Sequence, residues 1–377
     1  MRRMRRLGIL GVVSLALLIV TLGLIEVTGR WFFIPLLARY SSQQDLNLQL
    51  LKPKDLGVAG IYVPHHYYLY GPRPSYRSLD TELRHNSRGC RAEDGPLEGP
   101  ETVVRIVAIG GSTTYSTLVR QNNRIYTYLL ETLLNDWAKA LNLGRRFEVL
   151  NCGVPGATSA ENLSRYIFDL SEYRADLLLI QQGINDAVAR AFPHLSRDYR
   201  EYSKTWDETY LEPPRWFIAR AIRAVKNKVG DSIWNQGINI LVRHKIPDGS
   251  AAENYERNGP QIFEANTRYL VRLAAGDGAA VLLLTEHLVT DKNVPWTRLP
   301  LGRVRATVEH NEVLSRLAAS EKVLFFDLQR ALCACRERMP DGRHLNEAGE
   351  REKAQAVFEY LTSRGIMKRW LMRSRVR

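Results

Sequence analysis

"VAIGGSTTYS", residues 107–116, is the stretch on which the fold of this chain turns. Small and β-branched residues run without a charge to two glycines, and a serine and two threonines follow at once. A short apolar run of this kind suits a strand buried on both faces of a parallel sheet. The glycines mark a sharp turn at its end, and Ser112 is the first side chain past that turn. In open parallel sheets ligands bind beyond the strand C-termini. A hydroxyl placed there is a candidate for chemistry. Taken alone, a Gly-Gly-Ser turn is usually only a turn. It lacks the lysine of a phosphate loop, and Thr114 stands where the last glycine of G-x-S-x-G would be.

Similar runs recur on both sides of this one. "VVRIVAI" (103–109), "FEVLNC" (147–152), "ADLLLIQQG" (175–183), "GAAVLLLTE" (278–286) and "KVLFFDL" (322–328) read as five strands. Helical spacing fills the intervals over 126–141, 161–174, 261–275 and 303–319. A last helix is expected over 345–363, with Ala354, Val357, Phe358 and Leu361 on one face. Alternation of this kind predicts an α/β fold, a three-layer α/β/α sandwich around a five-stranded parallel sheet. Residues 187–260 interrupt it. They hold Phe192, Trp206, Trp216, Phe217 and Trp234 and no clear strand, which suggests a cap over the site.

The 377 residues are 45% hydrophobic and 25% charged, ordinary for a globular protein with a substantial core. The net charge of +13 is concentrated at the ends: Arg2, Arg3, Arg5 and Arg6 open the chain, and Lys368, Arg369, Arg373, Arg375 and Arg377 close it. Ends like these fit membrane topology and anionic lipid. No basic stripe interleaved with aromatics lies between them, so nucleic acid is not an expected partner. Residues 7–25 carry no charge and, at ~1.5 Å per residue, just reach across a ~30 Å hydrocarbon core. The arginines before them predict a cytoplasmic N-terminus and an exported remainder. A cleaved signal peptide is the competing reading, but the run is long for one and no small-x-small site follows. The resulting division is a cytoplasmic tip and single transmembrane anchor (1–29), a stem (30–84), whose aromatic start suits the outer interface, a main domain (85–365) and a basic tail (366–377).

Cys90, Cys152, Cys333 and Cys335 are too few for a disulfide framework and allow three full pairings. Cys152, at an apolar strand end, reads as a buried thiol. The C-A-C of 333–335 lacks the spacing of a zinc site. No metal and no cofactor is expected.

The strand ends carry the chemistry. The first ends in "GGST" with Ser112, the second in "NCGVPGATS" with Gly153 and Gly156, and the third in "QQGIND" with Gly183, Asn185 and Asp186. After the fifth comes "DGRHLNEAG" with Asp341 and His344. Each element has a bland reading: turn, cap, surface histidine, Asp-Gly turn before a helix. Their coincidence at successive strand ends supplies what acyl transfer needs, namely a nucleophile, a base, a carboxylate to orient the base, and oxyanion donors.

These blocks, in this order, resemble those of the SGNH or GDSL-type esterases and acylhydrolases. "HNSRGCR" (85–91) is similar to the N-x-x-G-F-R lead-in of many bacterial members, with Cys90 in place of Phe. The likeness covers roughly 85–363, and Gly-Gly-Ser replaces the Gly-Asp-Ser of the family name. It implies a flavodoxin-like sheet, Ser112 as nucleophile, His344 as base and Asp341 as its orienting carboxylate. The implied oxyanion donors are the Ser112 and Gly156 backbone N–H groups and the Asn185 side chain, with Gly153 serving the turn. The expected activity is hydrolysis of ester-linked acyl groups, O-acetyl included, on carbohydrate or envelope polymers or small acylated molecules. An O-acyltransferase using the same acyl-enzyme, a lipid esterase, and a non-catalytic binding or assembly subunit are the alternatives. Nothing in the sequence bears on oligomeric state.

Overall fold

The computed structural model describes residues 2–29, 31, 61–78, 81–95, 102–193, 195–202, 250–290, 300–363 and 367. The chain divides into two compact units, Met1–Ile61 with Thr205–Lys245, and Tyr62–Lys204 with Ile246–Arg377. Most of the expected stem, the greater part of the expected cap and nearly all of the basic tail lie outside the described residues.

In the first unit a helix, α1, runs from Arg2 to Thr28. Among the described residues no helix is long and apolar enough to cross a membrane, so the span expected over 7–25 is not found there. The described side chains of α1 begin at Val13.

The second unit opens with a hairpin, β1 (Tyr62–His65) against β2 (Leu69–Pro72), with His65 opposite Leu69. Its sheet comprises β3 (Val103–Gly110), β4 (Arg146–Asn151), β5 (Leu177–Gln181), β6 (Ala280–Leu284) and β7 (Leu324–Phe326). The spatial order is β4-β3-β5-β6-β7, every neighbouring pair being parallel. Among the described residues its α-helices in chain order are α2 (Ser112–Tyr115), α3 (Tyr126–Ala140), α4 (Ser159–Arg165), α5 (Ile184–Ala189), α6 (Ser250–Arg257), α7 (Gln261–Gly276), α8 (Leu301–Glu321), α9 (Leu328–Ala331) and α10 (Glu347–Ser363).

Alternate residues of the strands face two separate cores. Val104, Ile106, Leu177, Leu179, Leu282 and Leu284 pack with Tyr126, Leu130 and Leu134 of α3 and Val357 and Leu361 of α10. Val107, Ile109, Leu178, Ile180, Val281 and Leu283 pack with Leu270 and Val271 of α7 and Val313 and Leu314 of α8. This is why the strands read as continuous apolar runs: each apolar side chain, worth about 1.5–3 kcal/mol when fully buried, has a face to fill. The helix expected over 161–174 is α4 followed by a π turn (Tyr166–Leu170) and a 3₁₀ turn (Ser171–Tyr173).

The sheet switches direction at β3. The chain leaves β3 for β4 on one side and returns to β5 on the other, opening the crevice where such sheets hold ligands. Gly110 of β3 lies opposite Gln181 of β5, and Gln181 opposite Leu284 of β6, so three strand ends align in one row.

Two disulfides correct the reading of the cysteines: Cys90 pairs with Cys152, and Cys333 with Cys335. Cys152 is therefore no free thiol. It ties the lead-in segment to the end of β4, where Arg91 also bridges Asn151.

Candidate active site

Ser112 is the first residue of α2, directly past the Gly110-Gly111 turn. A Cβ on Gly111 would stand 2.8 Å from Asn185 Nδ2, so only glycine lets the Asn185 amide approach the serine turn this closely. Gly156 has φ +86, in the left-handed region that favours glycine. Gly153 packs against the Tyr115 backbone. One Asn185 amide hydrogen goes to the Ala157 carbonyl at 2.9 Å, which joins α5 to the Gly156 loop. An amide nitrogen carries two hydrogens, so a second remains for another acceptor. The Tyr70 hydroxyl of β2 donates to the Pro155 carbonyl, fixing the same loop from the hairpin side.

His344 Nε2 lies 2.7 Å from Ser112 Oγ, and His344 Nδ1 lies 2.6 Å from Asp341 Oδ2. The Asp341 Oδ1 accepts the backbone N–H groups of Arg343 at 3.1 Å and His344 at 2.8 Å. With Nδ1–H donated to the carboxylate, Nε2 is left to accept the Ser112 hydroxyl proton. Burial pushes the His344 pKa down, only partly offset by the Asp341 hydrogen bond and charge. Burial would raise the Asp341 carboxyl, but the His344 hydrogen bond and charge together with two backbone N–H groups hold it well below the usual range. The ring is thus neutral near pH 7 and the carboxylate ionised. Ser112 and His344 are each 8% exposed, enough for a substrate to reach them from the crevice.

Behind α2 lies a second layer that the sequence did not reveal. Lys353 of α10 donates to the Thr113 carbonyl at 3.0 Å and to Gln181 Oε1 at 2.6 Å. Glu286, just past β6, accepts the Thr113 hydroxyl at 2.9 Å. Glu350 accepts the Ser116 hydroxyl at 2.7 Å and the Tyr126 N–H at 2.8 Å. Arg91 donates to the Tyr115 and Ser116 carbonyls at 2.9 and 3.2 Å. All four ionisable side chains are buried. The sequence offers one sign of them. Glu350 and Lys353 fall on the helix face that also carries Ala354, Val357 and Leu361, where charges are out of place. The lead-in also finds its reason. Asn86 Oδ1 caps the N–H groups of Arg88 and Cys90 at 3.1 and 2.9 Å, presenting Cys90 to its disulfide and Arg91 to α2.

A parallel sheet with its switch point beside a serine turn, and a histidine and carboxylate supplied after the last strand, defines an ester-hydrolysing α/β enzyme. The chain belongs to the GDSL-like lipase/acylhydrolase family, whose model matches residues 108–352. Among solved structures it is similar to Axe2, an acetylxylan esterase from Geobacillus stearothermophilus. That match has 16% identity over 74% of this chain and 99% of the other, with a TM-score of 0.40. It is also similar to LAE5, an alpha/beta hydrolase enzyme from the metagenome of Lake Arreo, Spain, at 18% identity over 71% of this chain and 98% of the other, with a TM-score of 0.39. No curated protein matches the chain.

Proposed function

We propose that this chain is an exported, membrane-anchored serine esterase that removes ester-linked acyl groups, O-acetyl among them, from carbohydrate or envelope polymers. The observation that carries this reading is the hydrogen-bonded series from Ser112 through His344 to Asp341, at 2.7 and 2.6 Å.

In the proposed reaction Ser112 Oγ attacks the acyl carbon as its proton passes to His344 Nε2. Asp341 keeps the ring in the tautomer that can accept that proton and stabilises the imidazolium once formed. The carbonyl oxygen becomes an oxyanion facing the Ser112 and Gly156 N–H groups and the free Asn185 amide hydrogen. His344 then returns the proton to the leaving alcohol. Water repeats the sequence on the acyl-enzyme and releases the acid and Ser112.

Export is supported by the buried Cys90–Cys152 pairing, a bond that persists in oxidising compartments. Anchoring is supported by the uncharged run at 7–25 behind four arginines, and by the exposure of apolar side chains along α1, Leu17 and Leu24 among them. An exported enzyme meets acylated glycans and envelope polymers before cytosolic metabolites, and from this the substrate class follows.

The test offers the detergent-solubilised full chain a panel of short-chain aryl esters, acetylated oligosaccharides and phospholipids, with Ser112→Ala as control. Ser112-dependent acid release from aryl esters and acetylated oligosaccharides is expected. No Ser112-dependent release from any compound overturns the reading. Release from phospholipid alone overturns the carbohydrate assignment. Transfer to an added glycan that outpaces hydrolysis makes the enzyme an acyltransferase.

A further inference from the structure

A four-residue helix has no stability of its own, because nucleation fixes several dihedrals for one hydrogen bond. α2 is such a helix, its N-cap Gly111 offers no side-chain cap, and Ser116 closes it in the left-handed region at φ 62. Something outside α2 must hold it. Apolar packing would be the economical means, and yet buried charges surround it. Burying them is costly: replacing a buried ion pair with apolar side chains of similar volume is often neutral or stabilising by about 1–4 kcal/mol. Glu286 is a poor choice for stability in particular, since its Oε1 is buried with no hydrogen-bond partner among the described residues. Burial pushes its carboxyl up and the Lys353 ammonium down; Lys353 helps to keep Glu286 charged, and Glu350 and Glu286 together help to keep Lys353 charged.

The placement of the two residues is specific. Lys353 bridges the Thr113 carbonyl to Gln181, the last residue of β5, and β5 leads through Gly183 into Ile184 and Asn185. Glu286 takes the Thr113 hydroxyl on one side, and the Ile184 N–H, though it makes no hydrogen bond to Glu286 here, lies close enough to favour its ionised form. Thr113 follows Ser112 and Ile184 precedes Asn185. Both buried ions therefore join the same two segments, one bearing the serine and the other the amide. A third link, from the Thr114 hydroxyl to the Gln181 carbonyl at 3.3 Å, runs in parallel.

We infer that Glu286 and Lys353 are positioning residues that set the Ser112 hydroxyl and the Asn185 amide in register for the tetrahedral intermediate. This rests on the serine-esterase reading proposed above. Neither ion touches substrate. Each acts through Thr113 and the β5–α5 connection, so the effect belongs to turnover and not to substrate affinity.

The experiment measures kcat and KM on a short aryl ester for the full chain, with kcat taken per active site titrated by fluorophosphonate. The variants are Glu286→Gln, Lys353→Met, their double, and each single in an Asn185→Ala background. Glutamine offers one acceptor oxygen in place of two and no charge to balance Lys353. Misplacement by about 1 Å costs on the order of 10²-fold. A fall of that order in kcat with KM within about twofold is expected for each single variant. In the Asn185→Ala background the same substitution should cost at least about fivefold less, because part of what it misplaces is already gone. The double variant removes both members of the Glu286–Lys353 pair and leaves Glu350 with Arg91 and its hydrogen bonds, so it should regain part of the stability lost in either single variant and leave kcat low. Thr113→Val breaks the Glu286 link from the other side and serves if the charge variants do not fold. Folded variants with kcat within about threefold of wild type overturn the inference, as do equal losses in both backgrounds or a double variant whose kcat returns with its stability. If wild type itself shows no Ser112-dependent turnover, it is the esterase reading that has failed.

Discussion

Reducing the Cys90–Cys152 bond should lower stability by a calculable amount. The two residues are 62 apart in sequence, so the bridge closes a long loop in the unfolded chain. Loop-closure entropy for that length corresponds to about 4 kcal/mol at 25 °C. Cys333 and Cys335 are separated by 2 residues and their bridge contributes only about 1 kcal/mol on the same basis. The two effects are therefore separable, and a Cys333→Ala/Cys335→Ala variant isolates the long loop. Both Cys90 and Cys152 are fully buried, so reductant acts only on unfolded molecules. The assay is urea unfolding of that variant with and without dithiothreitol, followed by tryptophan fluorescence. With a slope of roughly 2–3 kcal/mol per molar urea, the midpoint should fall by roughly 1.5–2 M on reduction. A shift under about 0.5 M, or free thiols in the unreduced denatured variant, would refute the argument.

Asn185→Ala should lower kcat by ~10²–10³ with little change in KM, the usual cost of one oxyanion donor. Unchanged turnover in a folded variant removes Asn185 from the site. Burial lowers the His344 pKa, and only the neutral ring can accept the Ser112 proton. The value of kcat/KM should therefore fall toward acid with a midpoint below the ordinary ~6.5 of histidine, and a midpoint above it contradicts the placement of His344. A reporter active only outside the cytoplasm, fused after Arg377, should be active in cells; an inactive fusion made at normal levels counts against export.

β3, β5 and β6 were legible because they are buried and almost wholly apolar, whereas β4, with Arg146 and Glu148, and the half-buried β7 carry weaker patterns. Their ends were less so, since "ADLLLIQQG" continues past Gln181 into the turn that delivers Asn185. Ser112, Asn185, Asp341 and His344 stand out because each follows a strand or turn at an aligned sheet edge. The β1–β2 hairpin was not legible: "YVPH" and "LYGP" contain prolines and short runs that read as loop. Spacing cannot choose among three cysteine pairings, so Cys152 passed for a thiol. The ions beneath α2 escaped notice because Arg91, Glu286, Glu350 and Lys353 are far apart in sequence and meet only once the sheet and α10 are folded. A charge in an amphipathic helix is ordinarily a solvated one, and only its place on the apolar face distinguishes Lys353.

The central claim is that Ser112 is the nucleophile, activated by His344. Its most direct test is to treat the folded full chain with a fluorophosphonate and locate the adduct by peptide mass spectrometry. The adduct should fall on Ser112 alone, disappear in Ser112→Ala, and form much more slowly in His344→Ala. An adduct on another serine, or labelling that survives Ser112→Ala, would contradict the account.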